Sequence, residues 1–165
     1  MRRVLVVEDD HLVYDAIRDA FLIKGGFEVA HAGDGESALA TLDREKPDLA
    51  LIDFWLPKAS GITIAQQAAA RNVVAILMSG YPDVIARRDL YEFPVLPKPF
   101  RISAFIDGLD DVIAEASRLR RIMHEQVEAS VACRNETRTQ PPRLLSDQWL
   151  RICDRLALRD FSARA

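Results

Sequence analysis

Short apolar runs alternate with helix-patterned stretches along the first two-thirds of the chain, and that alternation leaves few folds open. Val4–Val7 is four apolar residues, too short for a helix and rich in β-branches, so it reads as a buried strand. Val13, Ala16, Ile17, Ala20 and Phe21 then fall at i, i+3, i+4, i+7 and i+8, one face of a helix that Gly25-Gly26 ends. Phe27–His31 is a second strand candidate, and Asp34–Leu42 a short second helix with Ala38 and Leu42 inward. Leu49–Ile52 is a third strand stopping on Asp53, Gly61–Arg71 is helix-like, and Val73–Met78 is a fourth strand. Pro82–Tyr91 reads as a short or irregular helix, and Pro94–Leu96 as a very short fifth strand before Lys98-Pro99. Strands alternating with helices imply right-handed crossovers. The expected fold class is therefore α/β: a five-stranded parallel sheet, doubly wound, with a helical C-terminal extension.

In such a sheet, ligands bind beyond the carboxyl ends of the strands. Here the first strand delivers Glu8, Asp9 and Asp10, the third Asp53 and the fourth Ser79, while Lys98 follows the fifth. Carboxylates crowded at one edge repel each other, and a divalent cation relieves the repulsion. Hard oxygen ligands with room left for water and phosphate suit Mg²⁺. Asp53 is then placed to attack phosphorus and form an acyl phosphate. Lys98 supplies a point charge and Ser79 a hydroxyl for the phosphoryl oxygens. Taken singly, each residue has an ordinary explanation, since acids at strand ends form turns and a lysine beside proline is usually solvated. Their convergence on one sheet edge carries the reading.

These residues resemble the receiver domains of two-component response regulators. The matching pieces are Val-Val-Glu-Asp-Asp at 6–10, Leu-Ile-Asp-Phe-Trp-Leu-Pro-Lys-Ala-Ser-Gly at 51–61, Met-Ser-Gly at 78–80 and Lys-Pro-Phe at 98–100. They stand in the family's order and span about residues 1–118. The resemblance implies a flavodoxin-like receiver with Asp53 as phosphoacceptor and Glu8 and Asp9 as the metal-binding acidic pair, helped by Asp10. It also implies the backbone carbonyl of Trp55 as a further Mg²⁺ ligand, Ser79 as the mobile hydroxyl, Lys98 as the family's lysine, and a cis peptide at Lys98-Pro99. Pro57 and Gly61 match the loop after the acceptor. Two departures stand out. Val95 occupies the usual position of an aromatic switch, and Ser79 and Lys98 are only 19 residues apart. Both features, with Ser79-Gly80-Tyr81 and the Pro94–Phe100 ending, resemble a subclass with a short fourth helix, often single-domain. Tyr81 or Tyr91 is a candidate substitute for the missing aromatic.

Beyond the receiver, residues 119–165 read as a helical extension of stalk, linker and terminal helix. Phe105, Leu109, Val112, Ala116, Leu119, Met123 and Val127 run at spacings of three and four, so the fifth helix either breaks near its arginines or continues as an amphipathic stalk. Asn135–Pro142 is a polar linker ending in Pro-Pro, and Ser146 caps a final helix. Trp149, Ile152, Cys153 and Leu156 form that helix's apolar face, opposite a basic row of Arg151, Arg155 and Arg159. The apolar face must pack on the receiver, on another protein or on a second subunit. A homodimer through the C-terminal helices is the working expectation. His124 and its neighbours read as ordinary surface, and His11 and His31 are assigned no role.

Charge and composition set further bounds. Residues 119–165 carry +3 and residues 1–118 carry −6, and three arginines are a small footprint for nucleic acid. Cys133 and Cys153 show no metal-ligand spacing, and no segment is apolar for long enough to cross a bilayer, so the expectation is a cytoplasmic protein with no membrane partner. The functional expectation is Mg²⁺-dependent phosphoryl acceptance from a sensor histidine kinase or phosphotransfer protein, with output through protein–protein contacts. Beyond slow self-dephosphorylation no enzyme is expected. One rival is a DNA-binding transcription regulator using the basic tail. The other, a phosphatase of related fold, needs a second acid two residues after the nucleophile, where Trp55 stands.

Overall fold

The computed structural model describes residues 1–86, 93–115, 117–118, 121 and 147–156. Five parallel strands form the main sheet: β1 (Arg2–Val7), β2 (Phe27–Ala32), β3 (Leu49–Asp53), β6 (Val74–Ser79) and β7 (Val95–Pro97). Their spatial order is β2-β1-β3-β6-β7, so successive strands are added on one side of β1 and then, from β3 on, on the other. That switch point is where an open α/β sheet leaves a crevice at its strand ends. A two-stranded hairpin, β4 (Trp55–Leu56) and β5 (Ala59–Ser60), follows β3.

The inner strands are apolar over Val4–Val7, Leu49–Ile52 and Val74–Met78 because both faces of the sheet are covered there, while the edge strand β2 carries Glu28 and His31. Val4, Val6, Leu49, Leu51, Ile76, Met78 and Leu96 point to one face, packed by Ile17 and Phe21 of α1 (His11–Lys24) and Phe105 of α5 (Ile102–Asp107). Their strand neighbours Leu5, Val7, Ala50, Ile52, Ala75, Leu77 and Val95 point to the other. There they meet Ala38 and Leu42 of α2 (Gly35–Glu45), Ile64, Ala65 and Ala68 of α3 (Gly61–Ala70), and Val84 of α4 (Pro82–Ala86).

Local chemistry sets the helix ends. The Asp10 carboxylate accepts the amides of Leu12 and Val13 and so caps α1, while Asp34 and Ser37 form a reciprocal capping box on α2. Gly25, at φ 74°, ends α1 in a conformation that a side chain would strain. The strand boundaries and those of α1 to α3 hold to within a few residues: α2 runs to Glu45 and β7 begins one residue later than expected, while the expected helix beyond Ala86, with Tyr91, lies outside the described residues. The β4–β5 hairpin has no counterpart in the sequence reading. It turns through Lys58 at φ 62°.

The expected stalk, from residue 119 on, lies outside the described residues apart from residue 121. After α5 the chain leaves the helix at Gly108 and is helical again over 109–115, which we label α6. Phe105, Leu109 and Val112 are buried in the main core cluster, so this stretch belongs to the body of the domain. The terminal helix α7 (Asp147–Leu156) adds Ile152, Cys153 and Leu156 to the same cluster. Three residues of the face that suggested a second subunit, Ile152, Cys153 and Leu156, are therefore buried within the chain, against α5 and β7, while the side chain of Trp149 lies outside the described residues. Leu119, Met123, Val127, His124, the Asn135–Pro142 linker, the Ser146 cap and Arg159 lie outside the described residues.

Candidate functional site

Three strand ends build the site. Past β1, the Glu8 amide donates to the Ala32 carbonyl at 3.0 Å, which keeps the chain in register with β2 for one more residue and buries Glu8. Asp9 is exposed beside it. Asp53, half-buried, ends β3 directly opposite Met78 of β6, and Ser79 next along β6 stands opposite Pro97. Lys98 follows β7 and is fixed by its amide, which donates to the Ser79 carbonyl at 2.7 Å.

The side chains converge. Lys98 Nζ donates to Glu8 Oε2 and to Asp53 Oδ2, each at 2.6 Å. The other Asp53 oxygen accepts the Trp55 amide at 3.1 Å, which aims the carboxylate. One carboxylate oxygen each from Glu8, Asp9 and Asp53 lies within 4.8 Å of the others. Ser79 is fully buried, and its Oγ accepts the Tyr81 amide at 3.1 Å. Gly61 closes the site from behind: a Cβ there would sit 2.1 Å from the Asp53 carbonyl oxygen, so only glycine lets α3 start this close to the acceptor. The Lys98–Pro99 peptide is cis, as the resemblance implies.

Electrostatics follow from burial. Burial pushes the Glu8 carboxyl above its ordinary range, outweighing the bond and charge of Lys98 that pull it down; the nearby Asp53 charge adds to the rise. Burial also pulls the Lys98 ammonium down. Its bonds to Asp53 and Glu8 together exceed that pull and hold it above its ordinary value. Three carboxylates and one ammonium leave a formal charge of −2. Hard oxygen donors, that residual charge and an exposed Asp9 fit Mg²⁺, which keeps part of its water shell. Asp10 caps α1 through its Oδ1.

His31 was given no role from sequence, yet its Nε2 lies 2.9 Å from the Glu8 carbonyl oxygen and its ring stacks on Tyr14 at 4.0 Å. The contact depends on β1–β2 register, which sets His31 beside Val6, and no local motif announces it. Trp55 and Tyr81 are exposed at the mouth, their ring centroids 6.2 Å apart and edge to face. Val95, where the family's aromatic was missing, is fully buried in the core.

Comparison with known proteins bears on the family and the fold. A family model described as the response regulator receiver domain matches residues 4–110. The transcriptional regulatory protein PdtaR of Mycobacterium tuberculosis is 32% identical over 142 residues, covering 83% of this chain and 68% of that protein. The sensory transduction protein RegX3 of Mycolicibacterium smegmatis is 43% identical over 79 residues, which are 47% of this chain and 34% of the relative. A CheY-like receiver domain structure from Methanospirillum hungatei aligns with a TM-score of 0.59 at 22% identity, over 72% of this chain and 98% of that one. At that identity the likeness is one of fold.

Proposed function

This chain belongs to the response regulator receiver family, and from that premise we propose that it is the phosphorylation switch of a two-component pathway, accepting a phosphoryl group on Asp53. The observation that carries the reading is the Asp53 carboxylate held between the Trp55 amide and the Lys98 ammonium, beside Glu8 and Asp9. The donor is a phosphohistidine on a sensor histidine kinase or phosphotransfer protein. An Asp53 oxygen bonds to phosphorus as the phosphorus–nitrogen bond breaks; the histidine nitrogen keeps the bonding pair and takes a proton from water.

Glu8, Asp9, Asp53 and the Trp55 carbonyl would hold Mg²⁺, which offsets charge on the phosphoryl oxygens when bound. Lys98, already anchored by its amide, is placed to follow the negative charge outward onto those oxygens. The Ser79 hydroxyl, one residue past the position opposite Asp53, donates the remaining hydrogen bond. Trp55 occupies the position where a related phosphatase needs its second acid, so the acyl phosphate is expected to hydrolyse slowly. A cytoplasmic location and output through protein contacts complete the proposal.

Intact-mass analysis with acetyl phosphate and Mg²⁺ tests it. The full chain is expected to gain one acid-stable, base-labile phosphoryl group, and Asp53→Asn to gain none. An adduct that survives Asp53→Asn, or none in the wild type with either acetyl phosphate or a phosphorylated donor, rejects the reading.

One finding favours a second reading of output: PdtaR is named a transcriptional regulator. Against it, Arg155 of the basic row faces Asp111 at 3.7 Å and sits on the receiver. Salt-dependent DNA binding by the full chain, lost on charge reversal of Arg151, would establish that reading.

A further inference from the structure

The segment 95–101 serves two structures at once. At its centre, Lys98 is tied to Glu8 and Asp53 by its ammonium and to Ser79 by its amide. At its two ends it holds α7. The Val95 carbonyl accepts the Cys153 thiol at 3.7 Å, and the Arg101 amide donates to the Leu156 carbonyl at 2.9 Å. The Arg101 guanidinium also donates to the Arg155 carbonyl. Arg101 thus partners two carbonyls in the last described turn of α7. Ile152, Cys153 and Leu156 complete the docking by burial against the α5–α6 face.

We infer that α7 is a strap whose docking is coupled to the state of Asp53 through residues 95–101: held while Asp53 is a free carboxylate, released when Asp53 carries a phosphoryl group. The inference rests on the phosphoacceptor reading above. Its direction follows from where the charge moves. In the free site the Lys98 ammonium closes on two carboxylates at 2.6 Å. Once Asp53 is an acyl phosphate, one of its oxygens is bonded to phosphorus and the negative charge lies further out, on the phosphoryl oxygens. A charge-assisted bond draws Lys98 after it, and the short segment on either side moves with it. Hydrogen bonds tolerate little displacement, and packed interfaces switch between arrangements more readily than they stretch. The bonds at Val95 and Arg101 lie within three residues of Lys98, so they are the ones strained.

Cys153 is a built-in reporter, since its thiol is 5% exposed while α7 is docked. The test is the rate of thiol labelling at Cys153 in the full chain carrying Cys133→Ser, with and without Mg²⁺ and beryllofluoride, a non-covalent phosphoryl mimic. Labelling is expected to be slow in the free protein and at least about tenfold faster with the mimic bound. Arg101→Ala should speed labelling without any mimic and, because coupling is reciprocal, tighten beryllofluoride binding by no more than the factor by which the mimic speeds labelling of the wild type. Binding of the mimic, followed by Trp55 fluorescence, with no change in labelling rate overturns the coupling and leaves the phosphoacceptor reading intact. Labelling of the free protein at the rate of an unprotected thiol overturns the docked strap. Failure of Asp53 to accept either the mimic or acetyl phosphate, scored by mass, overturns the phosphoacceptor reading and the coupling with it.

Discussion

Glu8 is 2% exposed, and burial raises its carboxyl even though Lys98 is bonded to it. In the unfolded chain Glu8 ionises at its ordinary value, 4.5. A raised folded value means that the stability Glu8 contributes is fully present below the unfolded value and is lost as pH rises through the folded one. Lys98 follows the same sign from a different range: its contribution is complete below 10.5 and is lost only as pH rises through its higher folded value. As pH rises from 4.5 through the raised Glu8 value, Glu8 is therefore the one of the two that changes, and Lys98 is constant. Glu8→Gln is expected to gain stability relative to wild type across that window in metal-free urea unfolding; a difference that does not vary with pH refutes this account. Mg²⁺ should reverse the ranking. Binding to the native state stabilises by mass action, roughly 2.7 kcal/mol at a hundredfold excess over Kd, and the variant forfeits most of that. That Glu8, Asp9 and Asp53 gather at one sheet edge was readable from the sequence, because all three stand at strand ends. That Asp10 caps a helix while Glu8 is buried was not, since it depends on which way the chain turns after Val7.

Among the elements, α3 shows how a helix start positions an acceptor. Its first residue, Gly61, lies so close to Asp53 that an added Cβ would fall inside the carbonyl of the acceptor itself. Gly61→Ala is expected to cost about 1–3 kcal/mol, the range for overpacking a tight site, and to slow loading of Asp53. Gly33→Ala is the contrast: nothing lies nearer than 4.0 Å to its Cβ, so its effect should stay within about 1 kcal/mol. Equal costs for the two in urea unfolding would mean that the approach of α3 to Asp53 is unimportant. Periodicity announced the helices, and the β-branched runs announced the strands. The β4–β5 hairpin escaped because Trp-Leu-Pro-Lys-Ala-Ser shows no alternation, and its pairing rests on Lys58 adopting a positive φ. His31 escaped for a related reason: its bond to the Glu8 carbonyl is a product of register between two strands.

In the whole molecule, the two core layers and the terminal helix differ in how they can fail. Leu77 is fully buried inside the sheet, so Leu77→Ala should cost about 2–5 kcal/mol, as cavity-forming core truncations do. Leu156 is equally buried, but α7 can leave its seat, so the cost of Leu156→Ala is capped by the docking free energy and should fall below that of Leu77→Ala. Equal costs by urea unfolding would make α7 an integral part of the core. The sequence by itself determined the sheet, its two-sided burial and the set of groups at its edge, because strand and helix periodicities are local and parallel connection has one hand. Tertiary structure decided the rest. It chose the receiver as the seat of α7, set Arg101 against the end of that helix, and closed Lys98 onto Glu8 and Asp53 across 90 and 45 residues of chain. An amphipathic face states only that it must be covered. What covers it is settled by packing between elements distant in sequence, which no local pattern records.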